Sequence, residues 1–188
     1  MGFSNFLGNT LVVESLKRQL SDNRLASSLL FVGISGIGKW TLAHFISKAV
    51  NCQKRLNDFC DECGTCLKIN QQVHSDVRNY APDGAFIKIN QMREMSREIF
   101  FKPFEGRRRV FIINNAHRLR VEAANAILKP LEEPPESSLL ILVTDSPNDL
   151  LATIRSRCQQ IHFAPFSEAE LGNILRAQFA YSAQDLPL

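Results

Sequence analysis

Apolar residues along this chain fall into two rhythms that alternate. Continuous runs of strand length occur at Ser28-Leu29-Leu30-Phe31-Val32, at Val110-Phe111-Ile112-Ile113 and over Leu139 to Val143. A short run at Ile161-His162-Phe163 and a weaker candidate over Asp76 to Tyr80 complete the set. Runs without polar alternation suit strands buried on both faces. Between them the apolar positions take a helical spacing. Val12, Val13, Leu16 and Leu20 predict an amphipathic helix over Thr10 to Ser21 with Thr10 as N-cap. Leu42, Ala43, Phe45, Ile46, Ala49 and Val50 predict a broad-faced helix from Lys39, with Trp40 available to its packing against a sheet. Cys66 to Val73 reads as a short helix, and Lys88 to Phe100 as a longer one through Ile89, Met92, Met95 and Ile99.

Val121 to Leu131 reads as one helix through Ala124, Ile127, Leu128 and Leu131, loosened in its last turn by Pro130 and ended by Pro134-Pro135. Ser167 to Ala180 opens with Ser167 and Glu170 three residues on, a capping box. Strands alternating with helices predict an α/β fold, a parallel sheet covered by helices on both faces, with its ligand at the carboxyl ends of the strands. Neither an internal repeat nor a linker interrupts the pattern before about residue 165, a boundary that leaves one main domain.

The first strand runs into Gly33-Ile34-Ser35-Gly36-Ile37-Gly38-Lys39-Trp40-Thr41. Strand, glycine-rich loop, lysine and helix in this order form a P-loop, whose backbone N–H groups and helix dipole cradle phosphate while the lysine supplies charge. Candidate nucleotide contacts are Gly33, Ser35, Gly36, Gly38, Lys39 and Thr41. One position departs from the pattern. The residue after the lysine should carry the hydroxyl that holds magnesium, and here it is Trp40, whose indole has no oxygen to offer. Thr41 sits about 100° further round the helix and is expected to face away from such a metal.

A second departure lies at the end of the Val110 to Ile113 run. P-loop ATPases place acids there to hold magnesium and activate water, whereas this chain has Asn114-Asn115. Two independent parts of the hydrolytic machinery are absent, so hydrolysis at this site is expected to be negligible, magnesium is not expected, and occupancy by ATP or ADP is left open.

Cys52, Cys60, Cys63 and Cys66 offer four thiolates on a short segment. Such crowding fits a structural zinc site with all four positions filled by protein. An iron–sulfur cluster and free buried thiols are the alternatives. Cys158 stands alone and is read as small apolar packing, and His44, His74, His117 and His162 show no ligand spacing to one another. The formal net charge of +3 permits contact with nucleic acid without arguing for it. No apolar run approaches a membrane span and the first residues carry neither a secretory signal nor a myristoylation site, so a cytoplasmic location without membrane contact is expected. The turn Glu105-Gly106-Arg107-Arg108-Arg109 is read as a solvated charged corner.

Taken together, Leu29 to Gly33, Gly36-Ile37-Gly38-Lys39, the four-cysteine insert, Asn125-Ala126-Ile127-Leu128-Lys129-Pro130-Leu131-Glu132-Glu133-Pro134-Pro135 and Ile154-Arg155-Ser156-Arg157-Cys158 resemble the AAA+ subunits of the bacterial DNA polymerase III clamp loader. The degenerate positions look like the delta-prime branch of that family rather than the gamma/tau ATPases. The resemblance implies a RecA-like P-loop AAA+ domain over residues 1–165, with its zinc insert at 52–66, followed over 166–188 by the truncated beginning of a helical lid. It implies that Arg157 reaches in trans, as an arginine finger, to ATP on a neighbouring subunit, and that Thr144 stands at the family's sensor position. It implies as partners the gamma/tau and delta subunits, the sliding clamp indirectly, and primer-template DNA in the assembled complex. An active gamma/tau-type ATPase and a zinc-containing nucleic-acid-binding protein are the alternative functions.

Overall fold

The computed structural model describes residues 2–179. Its centre is a five-stranded, wholly parallel sheet in the order β2-β3-β4-β1-β5, built from β1 (Ser28–Val32), β2 (Val77–Tyr80), β3 (Arg109–Ile113), β4 (Ser138–Thr144) and β5 (Gln159–His162). The three inner strands are the unbroken apolar runs, and each is buried along its whole length. Their side chains still alternate between two cores. Leu29, Phe31, Val110, Ile112, Leu139 and Ile141 face one, while Leu30, Val32, Phe111, Ile113, Leu140 and Leu142 face the other. Period-2 geometry in a doubly covered sheet requires this division. The edge strand β5 begins two residues before the apolar run, at Gln159-Gln160, whose side chains are exposed.

The first core is covered by α1 (Thr10–Ser21), α2 (Lys39–Asn51) and α3 (Gly64–Asn70), the second by α4 (Ile89–Glu98), α5 (Val121–Ala126), α6 (Leu128–Glu132) and α7 (Ala152–Arg155). A last helix, α8, spans Glu168–Phe179 and opens with the expected capping box: Ser167 N donates to Glu170 Oε2 at 2.9 Å and Glu170 N to Ser167 Oγ at 3.3 Å. The remainder of the expected lid, including Ala180, lies outside the described residues. Among the described residues no helix is long and apolar enough to cross a membrane.

Several local expectations are corrected. The N-cap of α1 is Asn9, not Thr10, and Asn9 holds a left-handed backbone at φ 48° while its side chain clasps Ala164 from both sides (2.8 and 3.2 Å). The helix expected over Cys66 to Val73 runs instead over Gly64–Asn70, because Cys63 Sγ caps it by accepting from Cys66 N. The single helix expected over Val121 to Leu131 is two, broken at Ile127. Pro130 is the cause: it has no N–H for the carbonyl of Ala126 four residues back. That carbonyl accepts the Ser96 hydroxyl instead, at 2.5 Å.

The turn before β3 is not a solvated corner. Asp76, buried at the start of β2, accepts the backbone N–H groups of Phe104, Glu105 and Gly106, all at 2.8 Å. Asn51 at the end of α2 accepts those of Arg107 and Arg108. Arg109 is itself buried, between Asp76 and Glu98. Burial works against ionising Asp76, but the three N–H donors and the Arg109 guanidinium outweigh it and hold the carboxyl below the ordinary range. Hydrogen bonds from Lys68 and from Ser75 N pull Glu105 down to about 2.

A carboxyl depressed in the fold contributes stability above its unfolded pKa, and that contribution disappears as pH falls through the folded value. These two carboxyls are therefore expected to lower the unfolding temperature steadily from about pH 4 toward pH 2, and His44, pushed down to about 4 by burial, adds a loss that begins as pH falls below about 6.5. Asp76→Ala, which leaves three N–H groups without their acceptor and buried Arg109 with Glu98 alone, is expected to cost about 3–5 kcal/mol in denaturant unfolding.

Candidate nucleotide site and metal centre

β1 lies between β4 and β5 while the chain leaves it for distant β2, so the carboxyl ends of β1, β3 and β4 open onto a crevice at the topological switch point. In register, Val32 stands opposite Thr144 and Ile113 opposite Leu142. These pairings bring the ends of three strands to one cavity of about 340 Å³, lined by the loop from Ser35 to Thr41 together with Asn114, Asn115, Thr144 and Asp145. Ser35, Gly36, Gly38, Lys39, Thr41 and Thr144 all line it. Gly33 is not part of the lining.

Gly33 and Gly38 serve the loop differently. A Cβ on Gly33 would meet the Phe163 carbonyl oxygen at 3.0 Å, so a glycine lets β5 pass close by. Gly38 holds φ at +91°, a left-handed conformation open to glycine, with the Phe6 ring against it. Lys39 is buried, and its Nζ donates to the carbonyls of Gly33 and Ile34, each at 2.6 Å. Burial lowers its pKa, with the Asp145 carboxylate opposing. The lysine therefore closes the loop on itself, and a phosphate would compete with two carbonyls for it.

Trp40 does not pack on the sheet. It is 37% exposed, lines the cavity and packs at a tilt of 49° against His44 one turn along α2, with ring centroids 4.0 Å apart. The position following the lysine thus presents an indole to the site. Asn114 and Asn115 line the opposite wall as neutral amides. Sequence reasoning missed one acid, Asp145, which follows Thr144 at the end of β4. Its Oδ1 lies 3.0 Å from His117 Nδ1, and Thr144 Oγ1 lies 3.2 Å from the same nitrogen and accepts Ser146 N. Asp145 is the single carboxylate among the described lining residues. Its signal in the sequence was its place directly after Thr144, at the end of the apolar run Leu139 to Val143.

Arg157 lies apart from this cavity, just beyond α7. Its Nη2 is 2.8 Å from Glu132 Oε1 and its Nη1 donates to the Thr153 carbonyl at 2.9 Å, with the side chain 34% exposed. Among the described residues its partners, Glu132 and Thr153, do not line the crevice.

The four cysteines converge as their spacing implied. Their sulfurs all lie within 4.8 Å of one another, with Cys52 Sγ 3.7 Å from Cys60 and 4.0 Å from Cys63. A tetrahedron with metal–sulfur arms near 2.3 Å has edges of about 3.8 Å, so the donor set fits zinc. Burial resists ionisation at Cys60 and Cys63, but N–H donors outweigh it and hold both thiols below the ordinary value. Cys66 is pushed up by burial. Cys158 is buried apart from this group.

The loop is tied to the P-loop helix. Asp61, between two of the cysteines, pairs with buried Lys48 of α2 at 2.5 Å, and the Lys48 ammonium lies 4.0 Å from the Phe59 ring centroid. Asp58 accepts Phe3 N at 3.0 Å, and Phe3 packs edge-on against Phe59.

The family described as "DNA polymerase III, delta subunit" matches residues 8–167. The DNA polymerase III subunit tau/gamma of Haemophilus influenzae is 35% identical over 175 residues, 92% of this chain and 25% of that protein. The DNA polymerase III subunit delta' of Bacillus subtilis is 34% identical over 154 residues, 82% of this chain and 47% of that protein. A DNA polymerase III gamma subunit-related protein from Thermotoga maritima superposes with a TM-score of 0.59 at 23% identity, over 87% of this chain and 49% of the other. That likeness speaks to the RecA-like AAA+ fold. The chain spans between about a quarter and a half of the curated relatives' length.

Proposed function

The chain belongs to the DNA polymerase III delta-subunit family, and from that premise we propose that it serves in a bacterial clamp loader as the non-hydrolysing, delta-prime-type subunit. The observation that carries this reading is the wall opposite Lys39. Asn114 and Asn115 supply neither a charge for magnesium nor a base for water, and Trp40 stands where a metal-binding hydroxyl belongs. A general base alone contributes about 10²–10⁴ in rate. In this reading Asp145 does not replace it, because it follows Thr144 at the end of β4 and not the end of β3 where Asn114 and Asn115 stand.

In this reading Arg157 is presented to ATP on an adjacent gamma/tau-type subunit, where a guanidinium supplied in trans offsets charge developing on the transferred phosphoryl group. Cys52, Cys60, Cys63 and Cys66 hold a structural zinc ion, which supplies cross-linking and no chemistry. The P-loop residues Ser35, Gly36, Gly38, Lys39 and Thr41, with Thr144, form a site for ATP or ADP without magnesium. Residues 1–165 form the AAA+ domain and 166–188 begin the lid. The partners are the gamma/tau and delta subunits, through them the sliding clamp, and primer-template DNA, all in the cytoplasm.

The test is a titration of the purified protein with a fluorescent ATP analogue, with and without magnesium, read also through Trp40, the sole tryptophan, and followed by a hydrolysis assay. The expected outcome is no turnover and no effect of magnesium on affinity. Magnesium-dependent turnover that Lys39→Ala abolishes would move the chain to the gamma/tau-type ATPases. Salt-sensitive binding of DNA by the isolated protein would favour the zinc-containing nucleic-acid-binding alternative.

A further inference from the structure

Two sequence segments that stood out separately, Leu131 to Pro135 and Ser156-Arg157-Cys158, meet in the fold at one ion pair. Glu132 ends α6, the short helix that follows the break at Ile127. Its carboxylate lies 2.8 Å from Arg157 Nη2, while the Thr153 carbonyl of α7 holds Nη1. One guanidinium is therefore held by two elements from opposite ends of β4. Glu133, the next residue, makes no ion pair with it among the described residues.

We propose that Glu132 is a positioning residue for Arg157: with the Thr153 carbonyl it fixes the plane of the guanidinium and leaves the remaining N–H groups for phosphate oxygens of a neighbouring subunit. The proposal rests on the reading of Arg157 as a residue acting in trans. A guanidinium carries five N–H donors in a rigid fork, so two can be spent within the chain while three stay available. A long side chain ordered before the encounter loses less freedom when the neighbour docks. Solvent-exposed ion pairs contribute little to folding, and this pair is partly open to solvent on both sides, at 34% and 49% side-chain exposure. Geometry is then the remaining use for it.

The experiment is single-turnover ATP hydrolysis by the complete protein assembled with its ATPase partner subunits, over a range of ATP concentrations. The wild-type fast phase contains the share of ATP hydrolysed at the site Arg157 faces, identified as the share lost in Arg157→Ala. In Glu132→Ala that share is expected to slow about 5- to 10-fold at saturating ATP, with the half-saturating concentration unchanged. Glu132→Gln, whose amide oxygen still accepts from Arg157, recovers most of the rate and serves where the alanine variant fails to assemble. Glu133→Gln behaves as wild type, and Glu132→Ala adds nothing to Arg157→Ala.

Wild-type rates in Glu132→Ala beside an impaired Arg157→Ala would overturn the positioning role. Faster hydrolysis in Glu132→Ala would overturn it too, by showing that the carboxylate restrains the arginine. If Arg157→Ala itself behaves as wild type, the trans reading fails first and the role of Glu132 falls with it.

Discussion

Replacing Arg157 with alanine is expected to slow hydrolysis at the neighbouring site it faces by about 10³-fold or more, the range in which trans-acting arginines operate. In the assembled complex this appears as the loss of that site's share from the fast phase of a single-turnover experiment. The protein's own stability should change by less than about 1 kcal/mol, since the side chain is partly exposed and its ion pair with Glu132 is a surface one. ATP affinity of the complex should hold, because the charge acts on the transition state more than on the ground state. Lysine at this position restores the charge but not the planar fork, and should recover little. Unchanged hydrolysis with the alanine protein fully assembled would remove Arg157 from the mechanism.

The second large effect is expected at the cysteine cluster. The purified protein should carry one zinc ion per chain by elemental analysis, and Cys52→Ser or Cys63→Ser should abolish it. Structural zinc sites in small peptides contribute about 10–16 kcal/mol of apparent binding free energy. Here part of the module would remain on the core without metal, since Cys52, Phe59 and Cys66 are fully buried against α2 and α3. Chelation is therefore expected to lower the melting temperature by more than about 10 °C, as a loss of several kcal/mol would in a domain of this size. The effect should spread beyond the loop. The N-terminal turn hangs from it through Phe3 and Asp58, and Phe6 of the same segment lies against Gly38 of the P-loop. Trp40 emission should therefore shift on chelation. A metal-free protein indifferent to chelators would favour free thiols, and visible charge-transfer absorption with bound iron would favour the cluster alternative.

Hydrophobic pattern and motif spacing determined a great deal of this protein. The three buried runs became the inner strands, the glycines and Lys39 became a P-loop, and four cysteines converged on one centre. Each of these depends on short-range rules: what a doubly covered strand must contain, which backbone angles a phosphate loop needs, how far apart thiolates on one loop lie. The neutral Asn114 and Asn115 were legible for the same reason, since a strand end delivers its next residues into the crevice.

Tertiary structure decided the rest. Asp145 joins the site because β4 lies beside β1, an adjacency that no local pattern encodes. The turn before β3 looked solvated because its charges are visible in sequence, whereas Asp76 and Asn51, 30 and 56 residues from their backbone partners, are not. The break at Ile127 follows from a proline, but the Ala126 carbonyl it frees is met by a donor from another helix, the Ser96 hydroxyl. Arg157 could be singled out by its motif, while its partner Glu132 could not. Charge pairs across separate elements depend on directions set by packing, and a chain read residue by residue carries the chemistry of its groups but not the directions in which the fold will point them.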